Sequence, residues 1–238
     1  MLKLRKLKSD STSEITLKTK FGDFCIRDID IDLNIASPSF ERLDLDELIK
    51  RIQASLHANH DVAFIDVGAG FGNQTVAIAN QFKDYQDKLS IYSFEPEPDS
   101  YRLLVKNILL NKLTNVHSFE VALSDKESNQ QFFYFEPMKQ IVSFPTPKKI
   151  HIRTMTLDHY MRHIKKSPNT DIYMKFDIEG HELNALIGSQ KIINRYKDIT
   201  LLIEDSASSE SSGLTEYLHR KGKFISKKTV YNSFWRLN

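Results

Sequence analysis

The spacing of apolar residues predicts alternating strands and helices over most of the chain. Short apolar runs alternate with longer segments in which apolar residues recur every three or four positions. We expect strands near residues 62–67, 90–95, 116–122, 171–177 and 199–204, and helices near 73–83, 98–112, 181–194 and 212–221. This alternation predicts an α/β fold with a doubly wound, mostly parallel sheet and helices on both of its faces.

Residues 1–58 follow a different pattern and form a predicted N-terminal extension. Residues 14–33 alternate polar and apolar side chains around a Gly-Asp turn, which predicts a β-hairpin. Residues 41–57 place apolar side chains at helical spacing, which predicts an amphipathic helix. We expect this hairpin and helix to pack on a main domain formed by residues 59–238.

Two later segments interrupt the alternation of strands and helices. Residues 125–155 contain the prolines Pro145 and Pro147, besides Pro137, and the aromatic run 132–135, which predicts an extra hairpin or a flexible loop over the site. Residues 223–236 favour two strands around 230–232.

Composition and charge exclude several classes of protein. The net charge of +2 gives no strong field for nucleic acid or for a membrane. The apolar runs are too short to span a bilayer, and the basic N-terminus lacks the apolar segment of a secretory signal. Cys25 is the only cysteine, which excludes an intrachain disulfide and a thiol-rich metal site. We expect a cytoplasmic protein with no membrane span and no nucleic-acid partner.

A glycine-rich turn carries the clearest chemical signal. The predicted strand that contains Asp66 is followed by three glycines, at positions 68, 70 and 72, and then by a predicted helix. This arrangement lets the backbone approach a nucleotide-like ligand closely. The G-x-G-x-G spacing differs from the G-x-G-x-x-G of dinucleotide-binding proteins. An acid such as Asp66 suits the cationic sulfonium and amino group of S-adenosylmethionine (SAM).

Acidic residues end several of the predicted strands. The five are Asp66, Glu95, Asp177, Glu204 and Asp205. Ligands of open α/β sheets bind outside the carboxyl ends of the strands, and an acid in the position of Glu95 accepts hydrogen bonds from both hydroxyls of a ribose. Such a carboxylate cluster suits a cationic cofactor, a hydroxyl group to be deprotonated, or a divalent metal.

The second strong signal is the segment 173–182, which reads Tyr-Met-Lys-Phe-Asp-Ile-Glu-Gly-His-Glu. In an extended chain Lys175, Asp177 and Glu179 project to one side. A lysine within an apolar strand needs a partner, because an unpaired buried charge is costly. We expect Asp177 or Glu179 to supply it.

The order of these motifs resembles the FkbM-type SAM-dependent methyltransferases. The matching segments are 64–72, 94–98, 104–111, 121–125, 156–158 and 175–182. The resemblance covers roughly residues 60–205 and implies a Rossmann-like class I methyltransferase that methylates oxygen, commonly on a sugar or another small natural product. Two departures are Gly70, where many relatives carry Asn, and His181, where a small residue is usual.

The resemblance also implies which residues bind SAM. Asp66, Gly68 and Gly70 would surround its methionine part, and Glu95 would bind the ribose, with Pro96 shaping that turn. Ala122, together with Val121 or Leu123, would contact the adenine.

Activation of an acceptor hydroxyl leaves two alternatives open. Asp177 and His181 are the candidate general bases, with Lys175 beside them in the catalytic group. In the alternative, Asp177, Glu204 and Asp205 hold Mg²⁺, which lowers the pKa of the acceptor.

Rival functions find less support in the sequence. An RNA or DNA methyltransferase that acts on base amino groups calls for an Asp/Asn-Pro-Pro-Tyr/Phe run, which the chain lacks. A dehydrogenase is disfavoured by the glycine spacing. A non-catalytic binding module remains open, because fold does not fix function.

Overall fold

The computed structural model describes residues 3–6, 14–37, 39–136, 140–142, 144–164, 169–204, 213–227 and 232–237. Its centre is a seven-stranded sheet. In spatial order the strands are β6 (Val116–Phe119), β5 (Leu89–Phe94), β4 (Asp61–Val67), β11 (Thr170–Phe176), β12 (Ile199–Glu204), β14 (Asn232–Leu237) and β13 (Gly222–Lys227). The first five are parallel, and the last two are antiparallel to their neighbours. The predicted mostly parallel sheet is confirmed.

Helices cover both faces of this sheet. One face packs against α2 (Arg42–His57), α3 (Asn73–Gln81) and α4 (Pro98–Leu110), and the other against α5 (Glu182–Ile187), α6 (Gln190–Arg195) and α7 (Leu214–Lys221). Successive side chains of β4 point to opposite faces, so Val62 and Phe64 enter one core while Ala63, Ile65 and Val67 enter the other. No helix in the described ranges is long and apolar enough to cross a membrane.

The sheet reverses its direction of growth between β4 and β11. From β4 the chain passes through α3 to β5 and through α4 to β6, whereas β11 pairs with the opposite edge of β4. The crevice outside such a switch point is the usual ligand site of doubly wound folds. The register places Lys175 beside Asp66 at this point.

A second, four-stranded sheet follows β6. Its order is β7 (Ala122–Leu123), β10 (Lys148–Met155), β8 (Ser128–Phe135) and β9 (Gln140–Val142). The hairpin predicted in residues 125–155 is confirmed, because β8 and β10 pair antiparallel over seven residues. The predicted third strand, 116–122, was too long. It leaves the central sheet after Phe119, and Ala122 pairs with Thr154 of the second sheet.

The N-terminal segment forms a small sheet that packs on α4. The strands β1 (Lys3–Lys6), β2 (Glu14–Thr19) and β3 (Gly22–Arg27) are antiparallel, and a short helix, α1 (Asp30–Ile35), replaces the end of the predicted hairpin. The buried side chain of Asn107 binds β3 as a neighbouring strand would. It accepts a hydrogen bond from the Cys25 amide at 2.6 Å and donates one to the Cys25 carbonyl at 3.0 Å.

The single helix predicted over residues 181–194 was wrong, since α5 and α6 are separated at Gly188 and Ser189. A Cβ atom on Gly188 would lie 2.0 Å from the carbonyl oxygen of Ser124. The absence of a side chain at Gly188 therefore lets the turn between α5 and α6 approach the backbone that follows β7. A residue with a side chain at position 188 would prevent this contact.

Candidate active site

A cavity of about 950 Å³ opens at the carboxyl ends of the central strands. Its floor includes the last residues of β4, β5, β11 and β12. Its walls come from the N-terminal segment, the glycine turn, the second sheet and residues 177–181. All of the predicted site residues that the structure describes line this cavity: Asp66, Gly68, Gly70, Glu95, Pro96, Ala122, Lys175, Asp177, His181 and Glu204. Asp205, the remaining predicted residue, lies outside the described residues.

The glycine turn after β4 has a backbone that few other residues adopt. Gly68, Gly70 and Gly72 have φ angles of +82°, +56° and +89°, all in the left-handed region. A Cβ on Gly68 would lie 2.0 Å from the carbonyl oxygen of Asp177, so this glycine lets the ends of β4 and β11 approach. A Cβ on Gly70 would meet no atom of the described chain within 4 Å, and this residue faces open cavity space.

Asp66 presents a buried carboxylate to the cavity. Its Oδ2 accepts a hydrogen bond of 2.6 Å from the hydroxyl of Thr75, whereas its Oδ1 has no hydrogen-bond partner among the described residues. Burial raises the pKa of Asp66, although the positive charge of Lys175 opposes this shift. An orphaned buried carboxylate oxygen fits a ligand that brings a positively charged donor, such as an amino group.

Glu95 joins the two loops that follow β4 and β5. Its Oε2 accepts a hydrogen bond of 2.7 Å from the amide of Gly70, and its Oε1 accepts one of 2.8 Å from the amide of Glu97. Burial raises the pKa of Glu95 to about 7, a shift that the charge of Glu97 increases and that of Arg27 reduces. Each oxygen retains a second lone pair for a ligand hydroxyl.

Lys175 is buried and held by carboxylates. Its Nζ lies 2.8 Å from Oδ2 of Asp177, as the sequence predicted, and 3.9 Å from Oε2 of Glu41, which the sequence did not predict. Burial alone lowers the pKa of Lys175, but the charges of Asp177, Glu41 and Asp66 outweigh it and raise this pKa above its usual value. Lys175 therefore stays protonated and cannot act as a general base.

Three carboxylates meet at the edge of the cavity beside Lys175. Oxygen atoms of Asp177, Glu179 and Glu204 all lie within 4.8 Å of one another. Burial and then the charge of Asp177 raise the pKa of Glu204 to about 8. Asp177 and Glu204 were predicted as metal ligands from the sequence, and the structure adds Glu179 to this cluster. The φ angle of Glu179 is +55°, which is unusual for a residue other than glycine.

His181 stands at the N-cap of α5, one residue before the first turn in which the sequence placed it. Its Nε2 lies 3.0 Å from the hydroxyl of Ser124, and its ring contacts that of Phe132 edge to face. Burial lowers the pKa of His181, and the charge of Asp125 opposes this shift. At neutral pH the imidazole is thus uncharged and able to accept a proton.

A family model, the methyltransferase FkbM domain, matches residues 66–225. The chain belongs to the FkbM methyltransferase family. It is therefore a SAM-dependent methyltransferase, and the matched range contains the glycine turn, Glu95 and the segment from Lys175 to His181. No protein with a curated description matches the sequence.

Two solved structures are similar to this FkbM methyltransferase. A methyltransferase FkbM from Methylobacillus flagellatus KT is 18% identical with a TM-score of 0.50, over 75% of this chain and 44% of that one. The chain thus spans less than half the length of that protein. A SAM-dependent methyltransferase from Aquifex aeolicus is 14% identical with a TM-score of 0.47, over 86% and 95% of the two chains.

Several polar residues of the cavity wall were not predicted as site residues from the sequence. Glu41, Gln74 and Asn232 line the cavity, and the carboxylate of Glu41 accepts a hydrogen bond from each of the other two. Glu41 and Asn232 lie outside the range that matches the FkbM domain, in flanks where no local motif marked them.

Proposed function

We propose that this FkbM methyltransferase transfers the methyl group of SAM to a hydroxyl group of a saccharide or glycoconjugate. The observation that carries the proposal is that one cavity is bordered both by the glycine turn with Glu95 and by the pair Asp177 and His181. The first group suits the donor, and the second group suits an acceptor that loses a proton.

The donor end of the cavity fits SAM. The orphaned Oδ1 of Asp66 suits its amino group, and the free lone pairs of Glu95 suit both ribose hydroxyls. The space beside Gly70 accommodates its methionine part, and Ala122 offers an apolar surface to the adenine. SAM supplies a methyl group that its sulfonium has already activated. The chain then has to position the acceptor oxygen and take up its proton.

The acceptor end offers two proton acceptors. His181 is uncharged near neutral pH, and Asp177 carries a carboxylate that Lys175 orients through a 2.8 Å hydrogen bond. We propose that one of these two residues is the general base in a reaction that needs no metal. Lys175, being protonated, fixes Asp177 and favours the developing negative charge on the acceptor oxygen.

A Mg²⁺-dependent reaction on a similar acceptor is the second candidate. The observation in its favour is the cluster of Asp177, Glu179 and Glu204, since carboxylate oxygens are the ligands that Mg²⁺ prefers. Against it, the ammonium group of Lys175 already neutralises part of the charge of Asp177. An RNA acceptor is disfavoured because so many carboxylates along the cavity repel phosphate.

Two measurements test the proposal. Calorimetric titration should detect SAM binding, and NAD should not bind. Transfer of label from methyl-labelled SAM should then be measured for a panel of neutral glycosides, in the presence and absence of excess chelator. Labelled glycoside whose methyl group is found on oxygen supports the proposal. SAM binding without transfer to any glycoside, or transfer to RNA instead, contradicts it.

A further inference from the structure

Glu41 has a strained backbone and an inward-facing side chain. It precedes α2 with φ +45° and ψ +30°, in the left-handed region that residues other than glycine rarely occupy. Its carboxylate makes no capping hydrogen bond to the helix. It instead reaches the cavity wall, where Oε2 accepts a hydrogen bond of 2.7 Å from Gln74 and Oε1 accepts one of 3.1 Å from Asn232. Strain of this kind tends to persist where it serves a site.

Gln74 contributes an unsatisfied acceptor to the same wall. Gln74 follows the glycine turn in the chain, and its side chain is only 5% exposed and lines the cavity. Its Nε2 is used by Glu41, but its Oε1 has no hydrogen-bond partner among the described residues. A buried carbonyl oxygen of this kind is costly unless a ligand or ordered water donates a hydrogen bond to it.

Glu41 lies beside the proposed reacting groups. Lys175 Nζ is 3.9 Å from Oε2 of Glu41 and 2.8 Å from Oδ2 of Asp177, so the two carboxylates border one ammonium group. An acceptor with hydroxyls on neighbouring carbons can therefore place one at Asp177 and the next at Glu41.

We infer that Glu41, Gln74 and Asn232 form a subsite that binds a second hydroxyl group of the acceptor and so determines its specificity. The inference rests on the proposed function. The carboxylate of Glu41 and the Oε1 atom of Gln74, which has no partner among the described residues, accept hydrogen bonds, and the amide of Gln74 also carries a donor. Asn232 positions this carboxylate, because its Nδ2 donates to Glu41 and to Asp44. A hydroxyl is donor and acceptor at once, so it suits such a pair. The carboxylates around Lys175 select an acceptor without phosphate or carboxylate groups. The acceptor is thus a neutral polyol with adjacent hydroxyls.

Glu41→Gln is the decisive variant, because it removes the charge but keeps the size and one hydrogen-bond acceptor. Asp46→Asn is the matched control, since it removes a carboxylate from the exposed part of the same helix. Asn232→Ala is the second test, in case Glu41→Gln does not fold. Each protein is assayed with labelled SAM and the methyl glycosides of glucose, galactose and mannose, together with their monodeoxy analogues. Calorimetry supplies the Kd for SAM.

We expect Glu41→Gln to lower kcat/KM for the accepted glycoside about tenfold or more, mainly through KM. The Kd for SAM should stay within about twofold of the wild type, and Asp46→Asn should behave as the wild type. With the wild-type enzyme, kcat/KM for one monodeoxy analogue should be lower than for the parent glycoside by a similar factor. With Glu41→Gln, the same analogue should be little worse than the parent glycoside, because the substitution and the missing hydroxyl remove the same interaction.

Wild-type kcat/KM in both Glu41→Gln and Asn232→Ala would overturn the inference and leave the proposed function intact. An equal weakening of SAM binding in both would also overturn it, because these residues would then belong to the donor site. If the wild-type enzyme binds SAM and methylates no glycoside, the proposed function fails and the inference fails with it.

Discussion

The amide nitrogen of Gly70 donates a 2.7 Å hydrogen bond to Oε2 of Glu95, which joins the turn after β4 to the acid after β5. The two residues lie 25 positions apart in the chain. The hydrogen bond fixes the glycine turn relative to the carboxylate. Both elements of the proposed donor site are therefore organised before any ligand arrives.

The raised pKa of Glu95 predicts a pH-dependent affinity for SAM. The folded protein holds a proton on Glu95 up to about pH 7, and binding to two ribose hydroxyls favours the ionised form. Affinity should therefore fall as the pH is lowered through 7, by about tenfold between pH 8 and pH 6. Calorimetry between pH 6 and pH 8 should show this dependence of the Kd for SAM on pH. Glu95→Gln should bind SAM more weakly, and its Kd should not change over this range. The same slope in Glu95→Gln would assign the titration to another group.

The glycines of the turn should respond differently to substitution. Gly68→Ala places a Cβ 2.0 Å from the Asp177 carbonyl, so it should lower the melting temperature sharply or prevent folding. Gly70→Val has space for its side chain but extends it into the cavity from a left-handed backbone. We expect a folded protein that binds SAM at least about tenfold more weakly. Normal SAM binding by Gly70→Val would mean that the turn only connects β4 to α3.

The sheet and the proposed donor site follow from local sequence signals. Strand β4 is apolar at consecutive positions because both of its faces are covered, and three glycines mark a turn with a left-handed backbone that few other residues adopt. Such signals depend on neighbouring residues alone, and they predicted the position of Asp66 and of the glycines at the carboxyl end of β4.

The proposed acceptor site could not be predicted in the same way. Glu41 meets Gln74 across 33 positions and Asn232 across 191, and no local pattern indicates such contacts. The surroundings of Asn107 and His181 also cannot be read from local sequence, because a polar residue on a predicted helix can equally face solvent. Only the packing of β3 on α4 and of α5 on the second sheet decides between these possibilities.

Asn107 should contribute strongly to stability. Replacing it with alanine removes hydrogen bonds to the amide and carbonyl of Cys25 and to the carbonyl of Phe71, all of them buried. We expect the free energy of unfolding to fall by about 2–4 kcal/mol, which denaturant titration can measure. Leu109→Ala, on the exposed side of the same helix, should change it by less than about 0.5 kcal/mol. Equal effects of the two substitutions would show that the hairpin does not depend on Asn107.

The pH profile of catalysis should identify the general base. If His181 accepts the proton, kcat should fall on the acid side with a midpoint below the ordinary histidine pKa of 6.5, because burial lowers the pKa of this imidazole. His181→Gln should then lower kcat by about 10²–10⁴, remove this acid limb and leave the Kd for SAM within about twofold.

Two other profiles would assign the reaction differently. An acid limb that survives in His181→Gln but is lost in Asp177→Asn would identify Asp177 as the base. Activity abolished by chelation and restored by Mg²⁺ would favour the metal-dependent reaction, and Glu179→Gln and Glu204→Gln should then be as damaging as Asp177→Asn. Full activity of His181→Gln and Asp177→Asn in excess chelator would contradict both mechanisms. Catalysis would then consist of holding the acceptor oxygen in line with an already activated methyl group, and the rate should depend most on the residues that position the acceptor.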